Sequence, residues 1–464
     1  MAKSIGMNMT KGNLFLKMIK FSVPLIFTYW LQLAFNFTDV MVLGLLVGDA
    51  AVGAVGSTAS LISLITGLFM GVSVGATILI SRYLGEGKEE KVRKVVGLSM
   101  IVSVVFGLII LVIGFTFSRK FLLWMDNPPE LIGMATLYLK IYSLGMPIRL
   151  LYNFCTSILR ASGETVKPMI FLAIGGVINI GLNVFFILVL NMTVDGVAIA
   201  TVVSELVSAI LCIIVLVRND GSVKLCKQYI RFYKNEFISL LKEGLPSGIQ
   251  SCLFAISNVI VQASVNSFGD IVVSGNSYAG QIENFIYHAM YAFSVGTMTF
   301  VSQNYGAGNI KNIKKSTLFG LILGMGTGFI LSTVCWIFSY DLVSLLSDNP
   351  DVILAATTRM DWICRFYYGC AFMEAFSYSL KGLGKSTLAM YIALLGTCVF
   401  RIVWIKTLLP IFYNINIVYS VYLVSWLLVG VACFIALMFS YKKIKKKFAV
   451  KEDDADKQLN QVVA

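Results

Sequence analysis

The sequence predicts an all-α polytopic membrane protein, twelve transmembrane helices arranged as two six-helix bundles. Three observations lead there. The 464 residues are 58% hydrophobic and only 13% charged, whereas soluble domains run nearer about 45–50% apolar with about a quarter of residues charged. Apolar runs of roughly 20 residues, the length that crosses a bilayer, recur twelve times along the chain. The two halves also repeat: SVGATILISRYLGEG at 73–87 aligns with SVGTMTFVSQNYGAG at 294–308, a spacing of 221.

The spans fall in order at 18–46, 52–81, 95–118, 131–159, 168–190, 195–217, 237–267, 274–303, 316–340, 352–380, 387–409 and 416–441. A basic, amphipathic lead-in of residues 1–17 precedes them, with no cleavable signal. The longest polar link, 218–236, separates a first bundle of 18–217 from a second of 237–441, and a basic tail of 442–464 follows. The repeat runs through both bundles. Leu159, Arg160 and Gly163 align with Leu380, Lys381 and Gly384 at the same spacing. At a spacing of 222, Pro24 aligns with Pro246, Asn36 with Asn258, and DNP at 126–128 with DNP at 348–350. Six spans per repeat give both halves one orientation, so an axis along the membrane normal relates them. Two such bundles facing each other enclose a cleft, the layout of an alternating-access carrier.

Charge sets the orientation. The N-terminus through Lys20, alternate loops and the tail hold 29 of the 37 Lys and Arg, which places both termini in the cytoplasm of a cell inner membrane. The net charge of +13 lies in short clusters between apolar runs and not on one aromatic-studded face, which argues against nucleic acid. Nine cysteines are scattered singly without a CxxC pair, and one histidine, His288, cannot make a metal centre. Clustered carboxylates or an HxxxH pair at a membrane face, as an embedded enzyme needs, are not present. The expectation is a monomer in the lipid bilayer with small-molecule partners, no cofactor and no catalysis.

Polar residues inside the spans carry the functional argument, because they are costly at membrane depth and face bundle interiors or wet cavities. Asp39, in AFNFTDVMVLGLL, lies seven residues from the outer end of its span, roughly 10 Å at 1.5 Å per residue. Asn179 and Asn183 share one face of the fifth span, and Thr201 lies two turns into the sixth. A carboxylate, two amide carbonyls and a hydroxyl are hard oxygen donors suited to Na+, and protonation of Asp39 is the equivalent alternative. The second half offers Val261, Phe400 and Trp404 at the positions of Asp39, Asn179 and Asn183. Packing needs would treat the halves alike, so the asymmetry favours a cation-coupling role for Asp39, Asn179, Asn183 and Thr201. The second half has acids of its own, Glu283 and Glu374. With Gln281, Tyr287 and Met290 they are expected to line a substrate cavity for amphipathic cations. The structural alternative is ion pairing with Arg365, Arg401 or His288. Pro24 would bend the first helix beside Asp39.

The pattern P-x14-D (Pro24, Asp39), GAxxLIxRYLGEGKxExxRK at 75–94, LRASGETVKPM at 159–169, and N-x3-N followed by G-x4-T resemble the multidrug and toxin extrusion (MATE) family. The chain looks most like the bacterial NorM/DinF type, and the resemblance covers residues 15–440. It implies a V-shaped pair of bundles and antiport of organic cations against Na+ or H+. It also implies a first-bundle cation site at Asp39, Asn179, Asn183 and Thr201. Where NorM-like relatives carry acids in the seventh and tenth spans this sequence has Phe254 and Cys370, with Glu374 one turn further on. The resemblance therefore does not extend to a second-bundle cation site. The alternative is a flippase for lipid-linked saccharides of the same superfamily. Such a protein needs a more cationic cavity, whereas acids outnumber bases among the polar residues assigned to the cleft.

Overall fold

The computed structural model describes residues 6–125 and 127–463, with side chains through Lys446 and at Phe448. Asp126 of the first DNP motif, the first five residues of the lead-in and Ala464 lie outside the described residues. Long apolar stretches bounded by Gly, Pro and Asn turns give helices, since in lipid every backbone amide must bond within its own segment. Seven occupy the first half: α1 (Leu14–Leu46), α2 (Asp49–Gly85), α3 (Glu89–Trp124), α4 (Pro129–Leu144), α5 (Met146–Ala161), α6 (Val166–Leu188) and α7 (Val194–Arg218). Nine follow: α8 (Lys234–Asn266), α9 (Asp270–Gly306), α10 (Ile310–Ile337), the short α11 (Ser339–Ser344), α12 (Pro350–Ile363), α13 (Tyr368–Gly382), α14 (Ser386–Ala393), α15 (Phe400–Phe412) and α16 (Ile415–Val463).

These helices make twelve rods. Nine among the described residues are long and apolar enough to cross a membrane, and α4 with α5 makes a tenth, bent by 48°. The other two rods do not meet those criteria. One is α9, which contains Glu283. The other is α12 with α13, helices of 14 and 15 residues that, with the turn between them, hold Arg359, Asp361, Arg365 and Glu374. This is the twelve-helix, all-α membrane fold the sequence predicts.

The repeat is visible in backbone geometry. Gly48, Gly87 and Gly163 have φ of 114°, 69° and 89°, and Gly269, Gly308 and Gly384, each 221 residues later, have 91°, 72° and 74°. A left-handed residue ends a helix cheaply only when it is glycine, so the same three loops are terminated by the same device in both halves. The fourth rod of each half breaks at equivalent places. Pro147, near the start of α5, has no amide to continue α4, and in the second half a 3-10 turn at Cys364–Phe366 makes the interruption. A π-helical stretch at Leu394–Val399 interrupts the eleventh rod between α14 and α15.

By internal packing the chain divides into two compact units. The first comprises Lys20–Ile80 and Lys88–Ala255 with the N-terminal residues through Asn8, and the second Met9–Ile19, Ser81–Gly87 and Ile256–Ala464. The sequence places the division in the polar link 218–236, whereas packing places it within α8. The reason is local: Gly244 and Gly248 of α8 lie so close to Val72 and Leu68 of α2 that a Cβ on either glycine would strike backbone. The core of the first unit gathers Leu43, Ile110, Tyr142, Leu150, Val197 and Ala198. The second unit has a cluster of Val261, Val265, Ile405, Val418 and Val421, with Phe400 and Trp404 packed on it.

Candidate cation site

Within the first unit, α1, α6 and α7 converge on Asp39. Gly176 on α6 has no side chain, and the ring of Phe35 fills the space where a Cβ would stand. That contact brings α1 against α6 one turn before Asn179. Asn183 Nδ2 donates to Asp39 Oδ1 at 2.6 Å and to Asn179 Oδ1 at 3.3 Å. Asn179 Nδ2 lies 3.5 Å from Thr201 Oγ1, which is 3.5 Å from Asp39 Oδ2. The Thr201 hydroxyl has one proton, and Val197 O at 2.9 Å is its nearer acceptor. The four residues the sequence singles out are therefore brought together.

The oxygen atoms are the notable feature. Asn183 is fully buried, and its Oδ1 has no hydrogen-bond partner. A buried acceptor left unmet costs about 1–3 kcal/mol. Asp39 Oδ1 and Oδ2, Asn179 Oδ1, Asn183 Oδ1 and Thr201 Oγ1 thus form a set of hard oxygen donors around one carboxylate. One amide N–H supplies the positive end that Asp39 would otherwise take from a cation.

An ion pair that the sequence did not disclose lies one turn along α7. Arg149 of α5 donates through Nε to both oxygens of Glu205, at 2.8 and 3.0 Å, and its guanidinium lies 4.2 Å from the Tyr142 ring centroid. Glu205 follows Thr201 by four residues on the same helix face, so this ion pair stands beside the Asp39 cluster.

In the second unit the substrate-cavity residues separate into distinct settings. Glu283 is buried and accepts from Arg359 Nε and Nη2 at 2.8 and 2.7 Å. Its partner is thus Arg359, not Arg365, Arg401 or His288 as the sequence suggested. Arg365 pairs with Asp361 at 3.7 Å. The network runs on from Arg359 to Asn276, then from Asn276 Nδ2 to Gln262 Oε1 and from Gln262 Nε2 to Asn266 Oδ1, both at 2.9 Å. Tyr287 donates its hydroxyl to Glu374 Oε1 at 3.0 Å, while Glu374 Oε2 is buried without a hydrogen-bond partner. Met290 is buried against Gly328, and Gln281 is exposed. Val261, Phe400 and Trp404, the counterparts of Asp39, Asn179 and Asn183, belong to an apolar cluster. Buried bases accompany the buried acids: Arg359, Lys381 and Arg401 against Glu243, Glu283 and Glu374.

The family comparison agrees with this architecture. The MatE family model matches residues 24–185 and again 246–405, once per repeat. The probable multidrug resistance protein YoeA of Bacillus subtilis (strain 168) is 26% identical over 75% of this chain and 76% of its own length. The multidrug export protein MepA of Staphylococcus aureus (strain MSSA476) is 21% identical over 95% of this chain and 96% of its own. The fold matches a solved outward-facing multidrug resistance MATE transporter of the MOP superfamily with a TM-score of 0.88, at 19% identity over 96% of this chain and 99% of that one. A MOP superfamily transporter from Pyrococcus furiosus Vc1 superposes with a TM-score of 0.89, at 18% identity over 96% and 99%. The chain, a multi-pass membrane protein, therefore belongs to the MatE family of multidrug efflux transporters.

Proposed function

We propose that this protein is a secondary antiporter that exports cationic or amphipathic compounds in exchange for Na+ or H+, with Asp39 as the group that takes the coupling ion. One observation carries the reading. A carboxylate at membrane depth is ringed by Asn179, Asn183 and Thr201, and one buried amide oxygen in that ring has no partner. A cation entering the ring would meet carboxylate, amide and hydroxyl oxygens. A proton on Asp39 would remove the charge that burial penalises. In either case the ion alters the balance of contacts among α1, α6 and α7, and a ligand shifts a carrier between states only through such a difference in affinity. The protein acts in the plasma membrane as a monomer with both termini cytoplasmic, an orientation that the placement of Lys and Arg supports.

The test uses the full chain in proteoliposomes loaded with a fluorescent organic cation such as ethidium, under a Na+ gradient and separately under a pH gradient. One gradient drives efflux by the wild type, and Asp39→Asn reduces that efflux to the level of empty vesicles. Full gradient-driven efflux by Asp39→Asn would refute the assignment.

A further inference from the structure

Arg401 is the second residue of α15, which follows the π-helical stretch Leu394–Val399, and it is 3% exposed. Its hydrogen-bond partners are neutral: Nε donates to Ser425 Oγ at 3.1 Å and Nη1 to Asn258 Oδ1 at 3.2 Å. The Tyr422 ring centroid lies 4.5 Å from the guanidinium carbon. Among the described residues no carboxylate lies within ion-pair distance of it. Arg359 faces the same Tyr422 ring from 5.6 Å, but its charge is matched by Glu283 at 2.7 Å. The two guanidiniums and one carboxylate around Tyr422 thus sum to one net positive charge inside the second unit. A buried charge without a counter-ion is costly, and a guanidinium carries five N–H donors, so two hydrogen bonds leave donors to spare.

The π stretch explains how the side chain arrives there. One extra residue in a turn rotates the following helix face by about 100°. In the repeat, Phe400 and Trp404 hold the positions of Asn179 and Asn183. With the extra residue it is Arg401 that bonds Asn258 of α8, while Phe400 and Trp404 pack with the apolar cluster. Where the first unit offers oxygens to a cation, the second offers a fixed cation flanked by half-buried aromatic rings.

We propose that Arg401 is an anion subsite of the second unit that takes the carboxylate of an amphipathic, carboxylate-bearing or zwitterionic substrate. A planar guanidinium fork matches a carboxylate in two parallel hydrogen bonds, and the Phe400, Trp404 and Tyr422 rings suit an aromatic body attached to it. The assignment takes its class of cargo from the exporter reading, but the binding itself does not depend on ion coupling.

The experiment follows the thermal unfolding midpoint of the purified full chain in detergent as sodium chloride is replaced by sodium 2-naphthoate at constant ionic strength. The wild type should show a saturable rise of several degrees. The neutral 2-naphthamide should give none, and Arg401→Gln should lose the naphthoate effect. Should Arg401→Gln fail to fold, Arg401→Lys serves instead, since an ammonium cannot present the fork; its half-effect concentration should rise at least about fivefold. Asp39→Asn should still show a saturable naphthoate rise, whatever the change in its half-effect concentration, so a failure of ion-driven export would leave this site standing. An unchanged response in the Arg401 variants, an equal response to naphthamide, or no gain of naphthoate over chloride in the wild type would overturn the proposal.

Discussion

At the scale of single residues, an amide that donates to a carboxylate at 2.6 Å leaves its own oxygen facing nothing, which describes Asn183 beside Asp39. Such an orphan is costly, and a visiting cation would offset that cost. Asn183→Leu should therefore raise the Na+ or H+ concentration needed for half-maximal efflux by about 10-fold or more while membrane insertion stays intact; an unchanged half-maximal concentration would remove Asn183 from the site. Glu283 and Arg359 behave differently because each answers the other. Glu283→Gln strands a buried guanidinium and should cost about 3–5 kcal/mol, whereas Glu283→Leu with Arg359→Met should be near neutral. Thermal melts of the single and double variants decide this, and a double variant no better than the single would contradict it. The first cluster was legible in the sequence because the repeat gave a control, Val261 against Asp39. The partners Arg149 and Arg359 were not, since they stand 56 and 76 residues from the acids they serve and no local pattern links them.

At the scale of elements, α1 remains a single helix through Pro24, and Thr28 Oγ1 donates to the Pro24 carbonyl at 2.8 Å. Proline leaves the Lys20 carbonyl without its intrahelical donor, so α1 is weakest between Lys20 and Pro24, about two to three turns from its start at Leu14, and can bend there. Pro24→Ala restores that donor. It should stabilise the folded chain by up to about 3 kcal/mol and slow export severalfold, read as a higher unfolding midpoint with a lower efflux rate. An unchanged rate would show that α1 does not need to bend at this point. The twelve rods were legible because length and apolarity are summed over some twenty residues. The breaks at Pro147 and Cys364–Phe366 and the π stretch at Leu394–Val399 were not. A broken span buries the same apolar residues as a straight one, so hydropathy is blind to the interruption.

At the scale of the whole molecule, duplication supplied two bundles with the same loops, the same left-handed glycines and the same broken fourth rod. Divergence then gave them opposite electrostatic characters. The first unit keeps an acid beside an amide oxygen that has no partner, and the second buries the bases Arg359, Arg401 and Lys381. An exchanger needs the coupling ion and the cargo to disfavour one another, and by linkage each must then loosen the other's binding by the same factor. The most direct test is the ion released when a cationic substrate binds to the purified protein, measured with an ion-selective probe or a pH dye. The account predicts that the wild type releases about one Na+ or H+ per molecule and Asp39→Asn releases none; release by Asp39→Asn equal to that of the wild type would contradict it.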